Sequence, residues 1–244
     1  MMTSSTIDQH EIEQFNRHAD QWWKPDGIFK PLHHMNPCRI QFIKDALCKH
    51  FEKKPKESQQ LKGLSILDAG CGGGLLTEPL ARLGASVTGV DAGDKNIEVA
   101  KNHAKAQGLA IDYQIGTPQD LNTKKKFDVV ISLEVVEHVA DIQAYVNSCA
   151  KLVKKNGILI LSTLNRTSLS YIGAIGLGEY VLKWVPKGTH DWQKFVKPAE
   201  LAKFLENCDF EIDHMQGMVY RPFSKKWVLS NRVDINYILS AFPK

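Results

Sequence analysis

Two short segments of this chain carry residues whose types and spacing suit chemistry. The first is Ser65-Ile66-Leu67-Asp68-Ala69-Gly70-Cys71-Gly72-Gly73-Gly74, an apolar run that ends in a carboxylate and then in four glycines within five residues. It reads as a strand, a turn almost bare of side chains, and the start of a helix. Glycine reaches positive φ without steric penalty and leaves the backbone open to close approach, so this turn suits a small molecule lying directly on it. The second segment is Glu134-Val135-Val136-Glu137-His138. Spacings of three and four predict that Glu134, Glu137 and His138 share one side of a helical turn. Two carboxylates and an imidazole suit a divalent cation, whether magnesium, manganese or zinc. The same residues also suit His138 as a general base, or as a structural histidine, with no metal.

The ligand of the loop is narrowed by what the loop lacks. A dinucleotide fingerprint G-x-G-x-x-G, counted from Gly70, finds Gly72 but then Leu75 in place of the third glycine. A triphosphate-binding loop needs Lys followed by Ser or Thr, and Gly74 is followed by Leu75-Leu76. Asp68 repels a pyrophosphate and attracts an ammonium group. Together these features resemble the first motif of class I S-adenosylmethionine-dependent methyltransferases, whose cofactor carries an amino-acid end and a sulfonium. A second apolar strand, Ala85 to Val90, ends in Asp91, 21 residues after Gly70, where a carboxylate can accept from both ribose hydroxyls. A nicotinamide enzyme would show the same residue. Asp91 also suits the N-terminus of a helix from about 93 to 107, and the two roles are compatible. After a third strand, Ile111 to Gly116, Thr117 stands where many methyltransferases of this class have an acidic adenine contact, with Asp120 three residues later.

The elements that must position these groups follow from periodicity. Helical patterns run over 8–22 and 36–52, with Asn36-Pro37 opening the second as N-cap and first-turn proline. A polar linker, Glu52 to Lys62, follows. From Leu64 to Ser162 strand and helix patterns alternate, which predicts a mainly parallel sheet covered by helices on both faces. The fourth strand is Phe127 to Ser132, a helix spans Ile142 to Lys154, and the fifth strand is Gly157 to Ser162. The tail offers a helix after Pro198, a strand near Phe210 to His214, and a last strand within Lys226 to Ile238. At 244 residues and 43% hydrophobic content, one domain with additions is expected. A net charge of +4, without an Arg-rich run or zinc-finger spacing, gives no case for nucleic acid. The five cysteines, Cys38, Cys48, Cys71, Cys149 and Cys208, form no C-x-x-C pair, which suits reduced thiols in a cytoplasmic compartment. No export signal and no apolar run of about 18 residues is visible.

Several longer blocks resemble the ubiquinone-biosynthesis O-methyltransferase family: Trp22-Trp23-Lys24-Pro25-Asp26-Gly27-Ile28-Phe29-Lys30-Pro31-Leu32-His33-His34-Met35-Asn36-Pro37-Cys38-Arg39, the loop Asp68 to Gly74, Glu134 to His138, Ser162-Thr163-Leu164-Asn165-Arg166, Val185-Pro186-Lys187-Gly188-Thr189-His190-Asp191 and Val233-Asp234-Ile235-Asn236-Tyr237. The resemblance implies an α/β, Rossmann-like class I methyltransferase fold: a seven-stranded, mainly parallel sheet, helices on both faces, an amino-terminal helical extension, and an apolar insert after the fifth strand. It implies a helical cap and linker over 1–62 and a cofactor-binding domain over 63–244 with an insert at 165–191. S-adenosylmethionine would meet Arg39, Asp68, Gly70, Cys71, Gly72, Asp91, Gln119 and Leu133, with Arg39 on its carboxylate. Arg39 on a helix surface and Leu133 as core packing are the plainer readings. The catalytic group would be His138, Glu134 and Glu137, holding a divalent cation. The substrates would be 2-polyprenyl-6-hydroxyphenol and 3-demethylubiquinol, methylated at a ring hydroxyl, with other proteins of the pathway as partners. For His190 and Asp191 a substrate contact and a turn role both stand.

Residues 168–185 are apolar except for Glu179 and Lys183, and they include Tyr171, Tyr180 and Trp184, which suit the headgroup level of a bilayer. This predicts a lid that docks on the inner face of the cytoplasmic membrane, against the alternatives of a buried helical excursion or a dimer contact. Two rivals stand beside the enzyme reading: a nicotinamide oxidoreductase, disfavoured by Leu75, and a non-catalytic lipid-binding subunit of a quinone pathway.

Overall fold

The computed structural model describes residues 9–54, 59–122, 124–171 and 192–244. The elements are α1 (Gln9–Arg17), α2 (Lys30–His50), β1 (Ser65–Ala69), α3 (Thr77–Arg82), β2 (Ser86–Asp91), α4 (Asp94–Ala106), β3 (Asp112–Ile115), β4 (Phe127–Leu133), α5 (Ile142–Lys151), β5 (Val153–Leu164), a single turn α6 (Ser168–Ser170), α7 (Pro198–Glu206), β6 (Phe210–Arg221), β7 (Lys226–Ser230) and β8 (Asn236–Pro243). The strands form one sheet in the order β3-β2-β1-β4-β5-β8-β6-β7. β1 to β5 pair in parallel, and β8, β6 and β7 are added antiparallel.

Alternation of side chains along the central strands sorts the core into two layers. Ile66, Val129, Ile131, Ile158 and Ile160 face α2 and α3, where Phe42, Ile43, Leu47 and Leu80 are buried. Leu67, Val130, Leu159 and Leu161 face α5 and α7, where Tyr145, Val146, Leu201 and Leu205 are buried. These strands are apolar on both faces because both are covered, which is the pattern a parallel sheet requires. The predicted doubly covered α/β sheet is therefore present, and helix α2 is a full member of one layer.

Four expectations need correction. The sheet has eight strands, not seven. The stretch read as one strand within Lys226–Ile238 is two, β7 and β8, because β6 runs on for 12 residues and the chain folds straight back at Pro222–Lys225. Asn36 does not cap a helix. Helix α2 starts at Lys30 with Pro31 in its first turn, Pro37 lies inside it, and the Asn36 amide donates to the Leu75 carbonyl at 2.7 Å. Helix α1 stops at Arg17, and a separate 3₁₀ turn covers Ala19–Gln21. Of the apolar insert only residues 168–171 are among the described residues; the rest, with His190 and Asp191, lies outside them.

Candidate active site

The glycine loop leaves β1 at the carboxyl edge of the sheet. Gly70 and Gly72 have φ of +78° and +52°, and a Cβ on Gly70 would stand 2.4 Å from a methyl of Val135. Only glycine meets both demands. The loop is held down from β2: Gly70 and Cys71 N–H donate to the Val90 carbonyl at 2.8 and 3.1 Å. Asp91 does the rest. One of its oxygens accepts from Gly72 N–H at 2.9 Å, the other from Gly93 N–H at 2.8 Å and the Asn96 amide at 3.0 Å. A single carboxylate thus ties the loop to the start of α4. Burial raises its pKa, and those three donors oppose the rise.

The amino-terminal block wraps over this loop. The Trp22 indole occupies the space that a side chain at Gly72 or Gly73 would need, with ring atoms 2.4 and 2.3 Å from the would-be Cβ positions. Its N–H donates to Asn96 Oδ1 at 2.8 Å, and its face stacks on Phe29 at 3.7 Å between centroids. Trp23 donates to the Gly73 carbonyl at 2.9 Å and stacks on His103 at 3.6 Å. Adjacent tryptophans signal an aromatic contact in any sequence, but nothing local says that the partner is a loop 50 residues away.

Arg39 and Asp68 are groups of opposite charge buried at this edge, and Arg39 has unfinished bonding. Arg39, at 6% exposure, has Nε and Nη2 without a hydrogen-bond partner among the described residues, although Nη2 forms an ion pair with Glu134 Oε1 at 3.3 Å. Asp68 accepts from the Thr77 hydroxyl at 2.6 Å, yet burial pushes its pKa up to about 7. Unsatisfied buried donors and an uncompensated buried carboxyl are each costly, and a ligand bearing both a carboxylate and an ammonium relieves both. An α-amino acid end has that pair of charges, so the residues present fit S-adenosylmethionine. Leu133 closes β4 beside them, half-buried and in register with Ser162. Cys71 is buried against Ile97, Ala100 and Tyr113. Gln119 is exposed on the turn after β3, which is joined to β2 by Gly116 N–H donating to the Asp91 carbonyl at 2.9 Å.

The second segment departs from the predicted helical turn. Only Val136–His138 forms a 3₁₀ turn, and Glu134 stands outside it in the left-handed region at φ +56°. Its three polar side chains take three different partners. Glu134 Oε1 accepts from the Ser162 hydroxyl at 2.7 Å, and Glu137 Oε2 accepts from Thr163 at 2.8 Å. Ser162 and Thr163 are consecutive on β5 and so project to opposite faces of the sheet, which draws the two carboxylates apart. His138 Nδ1 lies 3.0 Å from Glu11 Oε2 on α1, and Lys194 donates to Glu11 Oε1 at 2.9 Å. Among the described residues no three His, Cys, Asp or Glu side chains gather as metal ligands. The expected grouping of Glu134, Glu137 and His138 on one side of a helical turn is therefore corrected: the three side chains are engaged with Ser162, Thr163 and Glu11.

Electrostatics still couple this cluster. Burial and then the charge of Glu134 raise the pKa of Glu137. Burial opposes the charged form of His138, but the Glu11 bond and the charges of Glu137, Glu11 and Glu134 outweigh it and raise the imidazole pKa. The His138 bond, with help from Lys194, holds Glu11 down to about 2 against the opposing effect of burial. Glu11, Lys194, Ser162 and Thr163 were not singled out from the sequence as working side chains; Glu11 and Lys194 come from distant segments, and no local spacing points to them.

A methyltransferase-domain family model matches residues 67–161. The ubiquinone biosynthesis O-methyltransferase of Pelagibacter ubique is 49% identical over 234 residues, covering 96% of this chain and 97% of that protein. This chain belongs to the ubiquinone biosynthesis O-methyltransferase family. The family's enzyme from Bradyrhizobium diazoefficiens is 47% identical over 237 residues, 97% of this chain and 94% of that one. Among solved structures, magnesium protoporphyrin IX methyltransferase from Synechocystis PCC 6803 with bound S-adenosylhomocysteine superposes with a TM-score of 0.59 at 24% identity, covering 99% of this chain and 90% of that one. That likeness confirms the class I methyltransferase fold. The expected S-adenosylmethionine-dependent O-methyltransferase is thereby borne out.

Proposed function

We propose that this family member methylates a ring hydroxyl of a polyprenylated catechol of the 2-polyprenyl-6-hydroxyphenol type, and of 3-demethylubiquinol. The observation that carries this reading is the near full-length match to ubiquinone biosynthesis O-methyltransferases. The Arg39 and Asp68 pair supports the cofactor half of it. S-adenosylmethionine, when bound, supplies a methyl group already activated by its sulfonium. The protein's share is to hold the ring oxygen in line with that group and to take its proton. His138 accepts the hydroxyl proton as the oxygen bonds to the methyl carbon, and Glu11 on Nδ1 steadies the imidazolium that results. The segment that precedes α2 acts as the cap on the domain, with Trp22 and Trp23 closing the loop.

A second reading, a divalent ion on Glu134, Glu137 and His138, draws on the raised pKa of Glu137, which burial and then the charge of Glu134 produce and which a cation would relieve. It requires the three side chains to leave Ser162, Thr163 and Glu11. Protein stripped with a chelator separates the readings: retained activity supports His138 as the proton acceptor, and loss restored by magnesium, manganese or zinc supports the ion. We further propose, because a polyprenyl tail suits a bilayer, that the enzyme works at the inner face of the cytoplasmic membrane and docks through residues 168–185, of which 168–171 are among the described residues. In line with this, Leu169 and Tyr171 are 50% and 54% exposed. The test of the activity is methyl transfer to a short-tailed, water-soluble catechol, read as S-adenosylhomocysteine and the methyl ether. Protein that binds S-adenosylhomocysteine but makes no ether would overturn the proposed substrate.

A further inference from the structure

The hairpin between β6 and β7 has no part in the site described above. Its strands pair from Gly217 with Ser230 to Arg221 with Lys226, and Pro222 to Lys225 form the tip. β6 runs in the same direction as β5, because each is antiparallel to β8. The row Gln216, Ile238, Ser162 and Leu133 crosses the sheet at its carboxyl edge, one residue before Glu134. Gly217 to Arg221 continue past that row, at roughly 3.3 Å per residue. The tip is therefore aimed outward from the edge that carries the active site. Leu169 and Tyr171, half-exposed just after β5, leave from the same edge.

The chemistry of the tip is as distinctive as its position. Phe223 is fully exposed at 107%, and Arg221 to Lys226 are exposed throughout. Between Asp213 and Asp234 the chain carries Arg221, Lys225, Lys226 and Arg232 and no acidic residue. Among the described residues no carboxylate pairs with Arg221, Lys225 or Lys226. A bare aromatic ring in water is unfavourable, and three basic groups around it repel one another; an anionic bilayer surface relieves both by taking the ring into the headgroup layer and the cations onto its phosphates.

We infer that the β6–β7 tip, through Phe223 with Arg221, Lys225 and Lys226, is an anionic-lipid contact that sets the active-site edge against the membrane. This rests on the reading that the substrate is membrane-resident, and it adds to the insert a second, charge-reading point of attachment. Two points fix an orientation, whereas one leaves the molecule free to swivel. The tip stands apart from the catalytic and cofactor residues, so docking and chemistry are separable.

The experiment is flotation of the full chain with vesicles of phosphatidylcholine alone and of equal parts phosphatidylcholine and phosphatidylglycerol. Wild type should float with the anionic vesicles, release in high salt, and bind the neutral ones weakly. Phe223→Ser, and separately the combined Arg221→Ser, Lys225→Ser and Lys226→Ser variant, should partition on the order of tenfold or more weakly. Both should bind S-adenosylhomocysteine and methylate a short-tailed soluble catechol at the wild-type rate, which also shows that they fold. Unchanged flotation of either variant, equal binding of wild type to neutral vesicles, or no binding at all would each overturn the inference. Failure of wild type on the soluble catechol would instead strike the proposed substrate and leave the flotation result standing.

Discussion

Glu11 and His138 are 127 positions apart in the chain and 3.0 Å apart in the fold, and their contact has a definite dependence on pH. The folded state raises the pKa of His138 above its ordinary 6.5, so its contribution to stability is complete below 6.5 and is lost as pH rises through the raised value. Glu11 has the opposite sign: lowered from 4.5 to about 2, it contributes above 4.5 and is lost as pH falls through about 2. The pair therefore stabilises most between those two ordinary values. Glu11→Gln should lower the melting temperature near pH 6, by about 1–3 kcal/mol of stability, and should differ less from wild type near pH 9. Thermal melts of both proteins across pH check this; an equal deficit at both pH values would remove the ion pair as the cause. By contrast, the strand-and-turn arrangement of Asp68, Gly70, Gly72 and Asp91 was legible because the loop geometry that needs them is local.

At the scale of elements, the amino-terminal block acts as a strap. Trp22 closes over Gly72 and Gly73, is nearly buried at 7% exposure, and is anchored by Asn96 and Phe29. Trp22→Ala should cost about 3 kcal/mol through the lost packing, and should free the segment before α2 from the loop. Limited proteolysis reads the outcome as faster cleavage between α1 and α2, with the body of the domain surviving. Cleavage at the wild-type rate would mean that Trp23 and the Asn36 bond to Leu75 hold the strap alone. This element was only half legible. Asn36-Pro37 carries the local signature of a helix start, but Pro31 supplies the same signature earlier, and burial of Met35 and Cys38 against the sheet draws the preceding turn into α2. Tertiary packing outweighed a local preference worth about 1 kcal/mol. The split of Lys226–Ile238 into two strands was hidden for a related reason: β7 turns straight back on β6 at Pro222–Lys225, and its Trp227 and Leu229 pack against the layer of α2, which is far from it in sequence.

For the molecule as a whole, the unfinished charges at Arg39 and Asp68 mean that the folded state is completed by its ligand. S-adenosylhomocysteine at about 100 times its Kd should add about 2.7 kcal/mol of stability, raising the melting temperature by about 5–10 °C for a chain of this size. NADH should leave it unchanged. Differential scanning fluorimetry with both ligands checks the cofactor class directly, and a shift with NADH alone would reverse it.

The division between chain and fold follows the range of the forces. The alternating sheet, the cofactor loop and the acidic residue on β2 are set by neighbours within a few positions, through glycine backbone freedom, strand periodicity and charge next to a turn, and they stand in the sequence by itself. The fate of Glu134, Glu137 and His138 is not set that way. Their spacing suits one cluster, yet the strand beside them presents Ser162 and Thr163 to opposite faces, and a helix from the far amino terminus brings Glu11 to His138. Only the packed structure decides which of two locally compatible arrangements such groups adopt, because their partners become neighbours only once the sheet is assembled.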